Sequence, residues 1–297
     1  MIGRKRVATA LVLSLAMLAG ACGDDGGGDG ATTTAAGGAT TTAAGATTTA
    51  AAEELPLAGQ TVTVGVENAY LPFNYIPVGE TEGQGWDYDA WAAICDILGC
   101  TAEFVEAGWP AVLDQVAAGE IDTAADGISI TDERKEILAF SDAYMVVEQK
   151  FIARLDDDRF ADSDALIADT SAKIGTQVGT TNFDLAVELA GEDRVEAYQD
   201  FAVAVQALID GDVDAVIIDD AAGLGYVGVN ADQLVTLDGA LQSDPLGFIF
   251  PLDSELVAHV NAALQQLKDD GTLEELGRKY FTDAFAITYD DIEEVGG

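Results

Sequence analysis

An α/β fold in two lobes follows from three features of the sequence. Short apolar runs alternate with helical patterns from Leu55 onward, the alternation occurs in two sets, and two extended apolar runs without helical punctuation adjoin the second set. In the first set, Thr61–Val66 predicts a strand, and Tyr88–Leu98 carries apolar residues at helical spacing and stops at Gly99. Ala102–Val105 reads as a strand, Ala111–Ala118 as a helix ending at Gly119, and Asp122–Ala125 as the next strand, with Thr131 as the N-cap of a further helix. The second set comprises strand Lys173–Gln177, helix Thr181–Ala190, helix Ala202–Ile209 ending at Gly211, and strands Ala215–Ile218 and Gln233–Leu237. Repeated β–α alternation predicts parallel-type sheets with helices on their faces. The extended runs are Tyr144–Ala153 and Leu246–Leu252, and helices Leu256–Leu267 and Leu273–Phe281 follow the second. A chain that crosses to a second lobe near Val147 and returns near Phe248 has a hinge, and a cleft between hinged lobes is where α/β folds place small ligands.

Composition narrows the function. At 49% hydrophobic and 22% charged, the 297-residue chain can bury a core. It carries 13 Lys and Arg against 53 Asp and Glu, a field that repels phosphates and argues against a nucleic-acid partner. The same charge also fits a solubility or salt-tolerance adaptation. One histidine, His259, argues against a His-built metal site or a Ser-His-Asp triad. No cofactor, metal or catalytic group is expected.

The N-terminus reads as an address. Arg4-Lys5-Arg6 precedes the apolar run Val7–Ala19, too short for a mature membrane span and laid out as a secretory signal, 1–21. Leu18-Ala19-Gly20-Ala21-Cys22 resembles a bacterial lipoprotein processing box, with Leu18 four positions before the Cys rather than three. That resemblance implies lipidation at Cys22 and a membrane attachment; an ordinary signal peptide cut nearby is the alternative. Residues 22–54, rich in Gly, Ala and Thr, read as a flexible tether with a reach of roughly 30 Å. With Cys22 assigned, Cys95 and Cys100 remain as an even pair outside the cytoplasm. A local disulfide is the expectation, with two buried thiols as the alternative.

Seven motifs in order resemble the family 3 extracellular solute-binding proteins, the polar amino-acid receptors of ATP-driven (ABC) importers. They are Val64-Gly65-Val66-Glu67-Asn68-Ala69-Tyr70-Leu71-Pro72-Phe73, Gly85-Trp86-Asp87-Tyr88-Asp89, Ser129-Ile130-Thr131-Asp132-Glu133-Arg134, Phe140-Ser141-Asp142-Ala143-Tyr144, Gly179-Thr180-Thr181, Gly211-Asp212-Val213-Asp214-Ala215 with Asp219, and Asp270-Gly271-Thr272-Leu273 leading to Lys279-Tyr280-Phe281. The resemblance spans Leu55 to about Asp283. It implies a type II periplasmic-binding-protein-like fold with two crossover strands: 55–147 in lobe one, 148–247 in lobe two, and 248–297 returning to lobe one and the C-terminal helices. It also implies a monomer outside the cytoplasm that hands an amino acid to a permease with its ATPase.

A free amino acid brings a carboxylate, an ammonium and a side chain, and a dry cleft must satisfy each charge. Arg134 suits the carboxylate, because guanidinium offers a planar fork that Lys lacks. Thr180 and Thr181 open a helix whose N–H groups can hold the same carboxylate from the other lobe. Gln177 ends the strand before them and joins the candidates. The resemblance implies Asp219 as partner of the ammonium, with Asp220 as its rival, and Ser129 Oγ and the Gly127 carbonyl completing that pocket. Tyr70 and Trp109 stand where the family flanks the ligand side chain with aromatic or apolar residues. Trp86 and Trp91 are assigned to packing. Glu67 and Asp126 depart from the commoner pattern of Asp and of Ala or Ser. If both face the cleft, three acids oppose Arg134 and favour a basic or donor-rich ligand; the alternative is that they face solvent. A cyclohexadienyl dehydratase on the same fold, using Glu67 or Asp126 as proton donor, and an amino-acid sensor without transport are the competing functions.

Overall fold

In chain order the elements are strands β1 (Thr61–Val66), β2 (Ala69–Tyr70) and β3 (Asn74–Tyr75), helix α1 (Trp86–Leu98), β4 (Thr101–Glu106), α2 (Ala111–Ala117), β5 (Thr123–Ala124) and β6 (Ala139–Phe140). Then come β7 (Met145–Arg154), α3 (Ser163–Ala168), β8 (Ile174–Gln177), α4 (Thr181–Ala190), β9 (Val195–Tyr198), α5 (Phe201–Asp210), β10 (Ala215–Asp219) and α6 (Asp220–Val229). The chain closes with β11 (Leu234–Thr236), β12 (Gln242–Leu246), β13 (Ile249–Phe250), α7 (Leu256–Asp269) and α8 (Thr272–Tyr280). These come from a computed structural model that describes residues 55–77 and 79–281. The signal segment 1–21, Cys22 and the tether to residue 54 lie outside the described residues.

One sheet runs β4-β1-β5-β13-β6 and the other β11-β7-β10-β8-β9, with β12 also on β7. Both are mixed rather than parallel throughout. Strands β4 and β5 lie parallel to β1, and β8, β9 and β10 form a parallel set, as βα alternation requires. Strand β7 runs antiparallel to β10, β11 and β12, and β13 runs antiparallel to β5 and β6. The antiparallel members are the segments on which the chain passes between sheets. It leaves the first between β6 and β7 and returns between β12 and β13. There Leu246 stands opposite Met145, and the Tyr144 N–H donates to Leu246 O at 3.0 Å. The two crossings are therefore adjacent and hydrogen-bonded, a narrow band about which two lobes can turn.

Each lobe has its own apolar centre. Val112, Val116, Ile128, Leu138 and Ile249 cluster in the first, and Phe151, Ile174, Leu185 and Ile217 in the second. Trp86 and Trp91 of α1 are buried in a third, larger cluster with Ile94, Phe248 and Leu264, which seats α7 and α8 against α1 and continues to Ile152, Leu208 and Val216 of the second sheet's elements. At about 1.5–3 kcal/mol for each large apolar side chain buried, such clusters hold the strand ends rigid. Helix α1 ends where Gly99 adopts φ 79°, a left-handed turn in which the Gly99 and Cys100 N–H groups both bond to Cys95 O. That turn brings the two cysteines to a Cα separation of 4.6 Å, and they form a disulfide. Closing so short a loop contributes about 2 kcal/mol on chain-entropy grounds.

The helix expected after Thr131 is a single 3-10 turn, Arg134–Glu136. Thr131 Oγ1 does accept from the Arg134 N–H (3.1 Å), but Leu138 is drawn into the core and the chain enters β6. The expected strand Asp122–Ala125 shortens to β5 because the Asp122 carboxylate turns back to accept from Thr63 N and Oγ1 at 2.8 and 2.7 Å. Helices α3 and α6 and strands β2, β3, β6, β9 and β12 are not anticipated by the sequence pattern.

Candidate functional site

A narrow cavity is lined by Glu67, Tyr70, Trp109, Asp126, Gly127, Ser129 and Arg134 from the first sheet's loops, and by Gln177, Thr180, Thr181, Asn182, Phe201 and Asp219 from the second. The eleven candidates from sequence are all present, and Asn182 and Phe201 are additional. Their common origin is topological. Glu67 directly follows β1, Trp109 follows β4, and Asp126–Ser129 follow β5. Gln177 and Asp219 end β8 and β10, and Phe201 opens α5 after β9. All sit beyond the carboxyl ends of parallel strands, where open α/β sheets form their crevices.

Arg134 Nη1 donates to Ser129 O at 3.0 Å, and the guanidinium lies over the Trp109 ring, 5.0 Å from its centroid. Among the described residues no carboxylate comes within ion-pair distance of it. Burial lowers its pKa, against the pull of Asp219, Asp184, Asp244 and Glu133. An unpaired, partly desolvated guanidinium beside the first turn of α4 is an anion site made from both lobes. Thr180 caps that helix, its Oγ1 accepting from the Phe183 N–H at 3.0 Å, and Thr181 Oγ1 lies 3.2 Å from Ser129 Oγ.

Asp219, 2% exposed, accepts from Asn182 Nδ2 at 3.0 Å and from the Tyr70 hydroxyl at 2.9 Å. Burial pushes its pKa up to about 6 against those two bonds. Asp220 does not line the cavity; its carboxylate accepts from the Glu148 and Ala221 N–H groups. The Tyr70 ring stacks on Phe73 (5.1 Å between centroids) and on Phe201 (5.4 Å), so it is at once a wall and a donor. Gly127 permits this. Its φ is 56°, and a Cβ there would meet Tyr70 Cε1 at 2.6 Å.

Glu67 and Asp126 face the cavity and are only 7% and 6% exposed. Glu67 accepts from Gln177 Nε2 at 2.8 Å, and Asp126 from Asn74 Nδ2 at 2.8 Å. Glu67 is pushed up to about 9, by burial first and by the Asp126 charge second. Asp126 is pushed up to about 7, again chiefly by burial. Among the described residues neither has a cation within ion-pair distance.

Several of these contacts cross between the two sheets: Tyr70 to Asp219, Gln177 to Glu67, Ser129 to Thr181, and Trp109 Nε1 to Gly179 O at 3.2 Å. Tyr226 adds a bond to Ala69 O at 3.0 Å. The lobes are therefore drawn together by polar side chains that a ligand can also engage. Asn182 and Phe201 carried one sequence signal each: both lie in the first turn of a helix, Asn182 two residues after the N-cap Thr180 and Phe201 directly after the N-cap Asp200.

The sequence model of the bacterial extracellular solute-binding proteins, family 3, matches residues 62–283. The L-cystine-binding protein TcyA of Bacillus subtilis is 29% identical over 224 residues, covering 74% of this chain and 81% of that protein. Among solved structures, the arginine-, lysine-, histidine-binding protein ArtJ of Geobacillus stearothermophilus is 31% identical with a TM-score of 0.69, covering 75% of this chain and 95% of that one. The ancestral amino acid-binding protein AncCDT-1, a precursor of cyclohexadienyl dehydratase, is 30% identical with a TM-score of 0.69, covering 75% and 96%.

Proposed function

Because the chain belongs to the bacterial extracellular solute-binding proteins, family 3, we propose that it captures a basic amino acid between its lobes and delivers it to the permease of an ABC importer. The observation that carries the ligand class is the charge of the cavity: Glu67, Asp126 and Asp219 line it with Arg134 as the one base among the lining residues. Arg134 and the α4 N-terminus bind the ligand carboxylate, and Asp219, with Ser129 Oγ and the Gly127 carbonyl, binds the ammonium. Glu67 and Asp126 then need a cation, which an arginine or lysine side chain supplies. Tyr70, Phe201 and Trp109 bury its methylenes. ArtJ, whose name states arginine, lysine and histidine binding, supports this reading.

Lobe one comprises 55–147 and 248–297 and lobe two 148–247, and ligand stabilises their closed arrangement. Cys22 carries the lipid and 22–54 the tether of a monomeric receptor held at the outer face of the cell membrane. A thermal-shift screen against the twenty amino acids tests the ligand class: arginine or lysine gives the largest shift, glutamine a smaller one and glutamate little. A largest shift with glutamate, cystine or an aliphatic amino acid overturns it.

A second reading has its own support. A carboxyl held near 9 in a cleft, as Glu67 is, can donate a proton, and AncCDT-1 is described as a dehydratase precursor. Aromatic product from arogenate or prephenate would establish it; we favour binding without chemistry and expect none.

A further inference from the structure

Beneath the cavity lies a carboxylate that amino-acid capture leaves unused. Asp87, in the first turn of α1, is fully buried, its N–H bonded to Phe73 O at 2.9 Å. Asn74 Nδ2 donates to its Oδ2 at 2.9 Å, while Oδ1 is buried with no hydrogen-bond partner among the described residues. The same amide nitrogen donates to Asp126 Oδ1 at 2.8 Å, and Asn74 Oδ1 accepts from the Asn68 N–H at 2.6 Å. An amide nitrogen has two N–H groups, so one goes to each carboxylate. One neutral side chain thus bridges two buried acids.

Among the described residues the surroundings supply no countercharge. Asp126 is faced by Glu67 after β1, Tyr70 of β2, Asp87 of α1 and Tyr144 ahead of β7. Asp87 is faced by Tyr88 of its own helix and by Tyr144, whose hydroxyl is itself buried without a partner among the described residues. Arg134, across the cavity, lies in the field of Asp219, Asp184, Asp244 and Glu133 without pairing with any of them. Two carboxylates flanking an amide in a low-dielectric site disfavour each other's charge, so protons reside on the pair. Burial, in each case the largest cause, pushes both up to about 7.

We propose that Asp87, acting through Asn74, is a positioning residue that sets the protonation of Asp126, and that a ligand cation reaching Asp126 drives its proton into solvent, coupling capture to proton release. The Asp126 O–H bond breaks, the proton passes to water or buffer, and the ligand cation takes its place beside the carboxylate. One positive charge enters as one leaves. The inference rests on the reading of the ligand as a basic amino acid. Its consequence is that arginine binds more weakly below neutral pH, whereas a ligand with a neutral side chain lacks this dependence.

Titration calorimetry with L-arginine, repeated from pH 5.5 to 8 in buffers of different protonation enthalpy, reads the protons released. The wild-type protein is expected to release a substantial fraction of one proton from Asp126 around pH 6–7, in addition to the proton the ligand cation draws from Glu67, and L-glutamine is expected to release markedly less. In Asp87→Asn the release profile moves to lower pH by about one unit, because the second acid no longer opposes ionisation of Asp126. In Glu67→Gln the Glu67 share is lost and the Asp126 share, centred near pH 6–7, persists. Arginine binding with no buffer-dependent heat in the wild type overturns the coupling, even if Asp87→Asn fails to fold. Superimposable wild-type and Asp87→Asn profiles overturn the role of Asp87. Loss of release in Glu67→Gln assigns the proton to Glu67 and overturns the inference. Absence of any arginine or lysine binding overturns the basic-ligand reading and this inference with it.

Discussion

Two clusters of acids in this molecule meet opposite fates. On the outer part of the second lobe, Asp157 and Asp214 share Arg154 and Arg159, with Arg154 Nη2 at 3.3 Å from Asp157 and 3.5 Å from Asp214. Bonds from Arg159 hold Asp157 below the usual carboxylate range, and for Asp214 they and the Lys173 amide outweigh burial. At the cleft, Glu67, Asp126 and Asp219 have only neutral donors, and burial raises all three. In a chain with 13 Lys and Arg for 53 Asp and Glu, bases are scarce. Where they are spent on acids, folding completes the charge; at the cleft it is left for a partner to complete. Pairing therefore marks the structural cluster, and convergence of buried, unpaired acids on one cavity marks the site.

The largest effect that sharpens this contrast is at the anion end. Arg134→Lys keeps the charge but loses the fork, and affinity for arginine falls by about 30-fold or more in calorimetry, since disrupting a buried charge pair costs roughly 2–5 kcal/mol. Ligand-free stability changes little. Unchanged affinity would remove Arg134 from the site.

The next effect is on stability. A carboxyl whose pKa is higher folded than unfolded binds more protons in the folded state, so stability is present at low pH and is lost as pH rises. For Glu67 the window runs from 4.5 to about 9, and for Asp87 and Asp126 from 3.8 to about 7. Ligand-free Tm, followed by calorimetric scanning, is expected to fall by roughly 5–10 °C between pH 5 and 9. Glu67→Gln flattens the upper part of that fall. A Tm that rises across the interval would contradict unpaired burial.

Selectivity comes third. Glu67→Gln and Asp126→Asn each weaken arginine by roughly tenfold relative to glutamine, about 1.4 kcal/mol. Equal losses for both ligands would mean that neither acid meets the ligand cation. The smallest effect is in the paired cluster. Arg159→Met costs at most about 1 kcal/mol of stability, as exposed ion pairs do, and leaves ligand affinity unchanged.

How much of this was legible in sequence differs by scale. Strands β1, β8 and β10 are short apolar or β-branched runs and helix α4 has apolar residues at helical spacing, and at their ends stand Glu67, Gln177, Asp219 and Thr181. Strands β2, β3 and β6 are two residues each and have no period to read, whereas β13 lies within the extended run Leu246–Leu252. Helix α6 was hidden by glycines. Gly225 lets Leu71 approach to 3.2 Å of where a Cβ would stand, so close packing rather than an apolar stripe specifies that helix. Asp87 and Asn74 lay in plain sight within or beside recognisable motifs, yet their bridge to Asp126 joins residues 13 and 52 positions apart. Only the fold brings them together, and composition alone could not separate these acids from the solvated ones.

The most direct test is carbon-13 NMR of the side-chain carboxyls, titrated with and without saturating L-arginine. Ligand-free, Glu67 is expected to titrate near 9 and Asp126 near 7, while Asp157 titrates below the usual range. With arginine bound, both cleft acids fall towards ordinary carboxylate values and Asp157 does not move. Cleft acids that titrate normally without ligand, or that stay raised with arginine in place, would contradict a cleft whose charge is completed by its ligand.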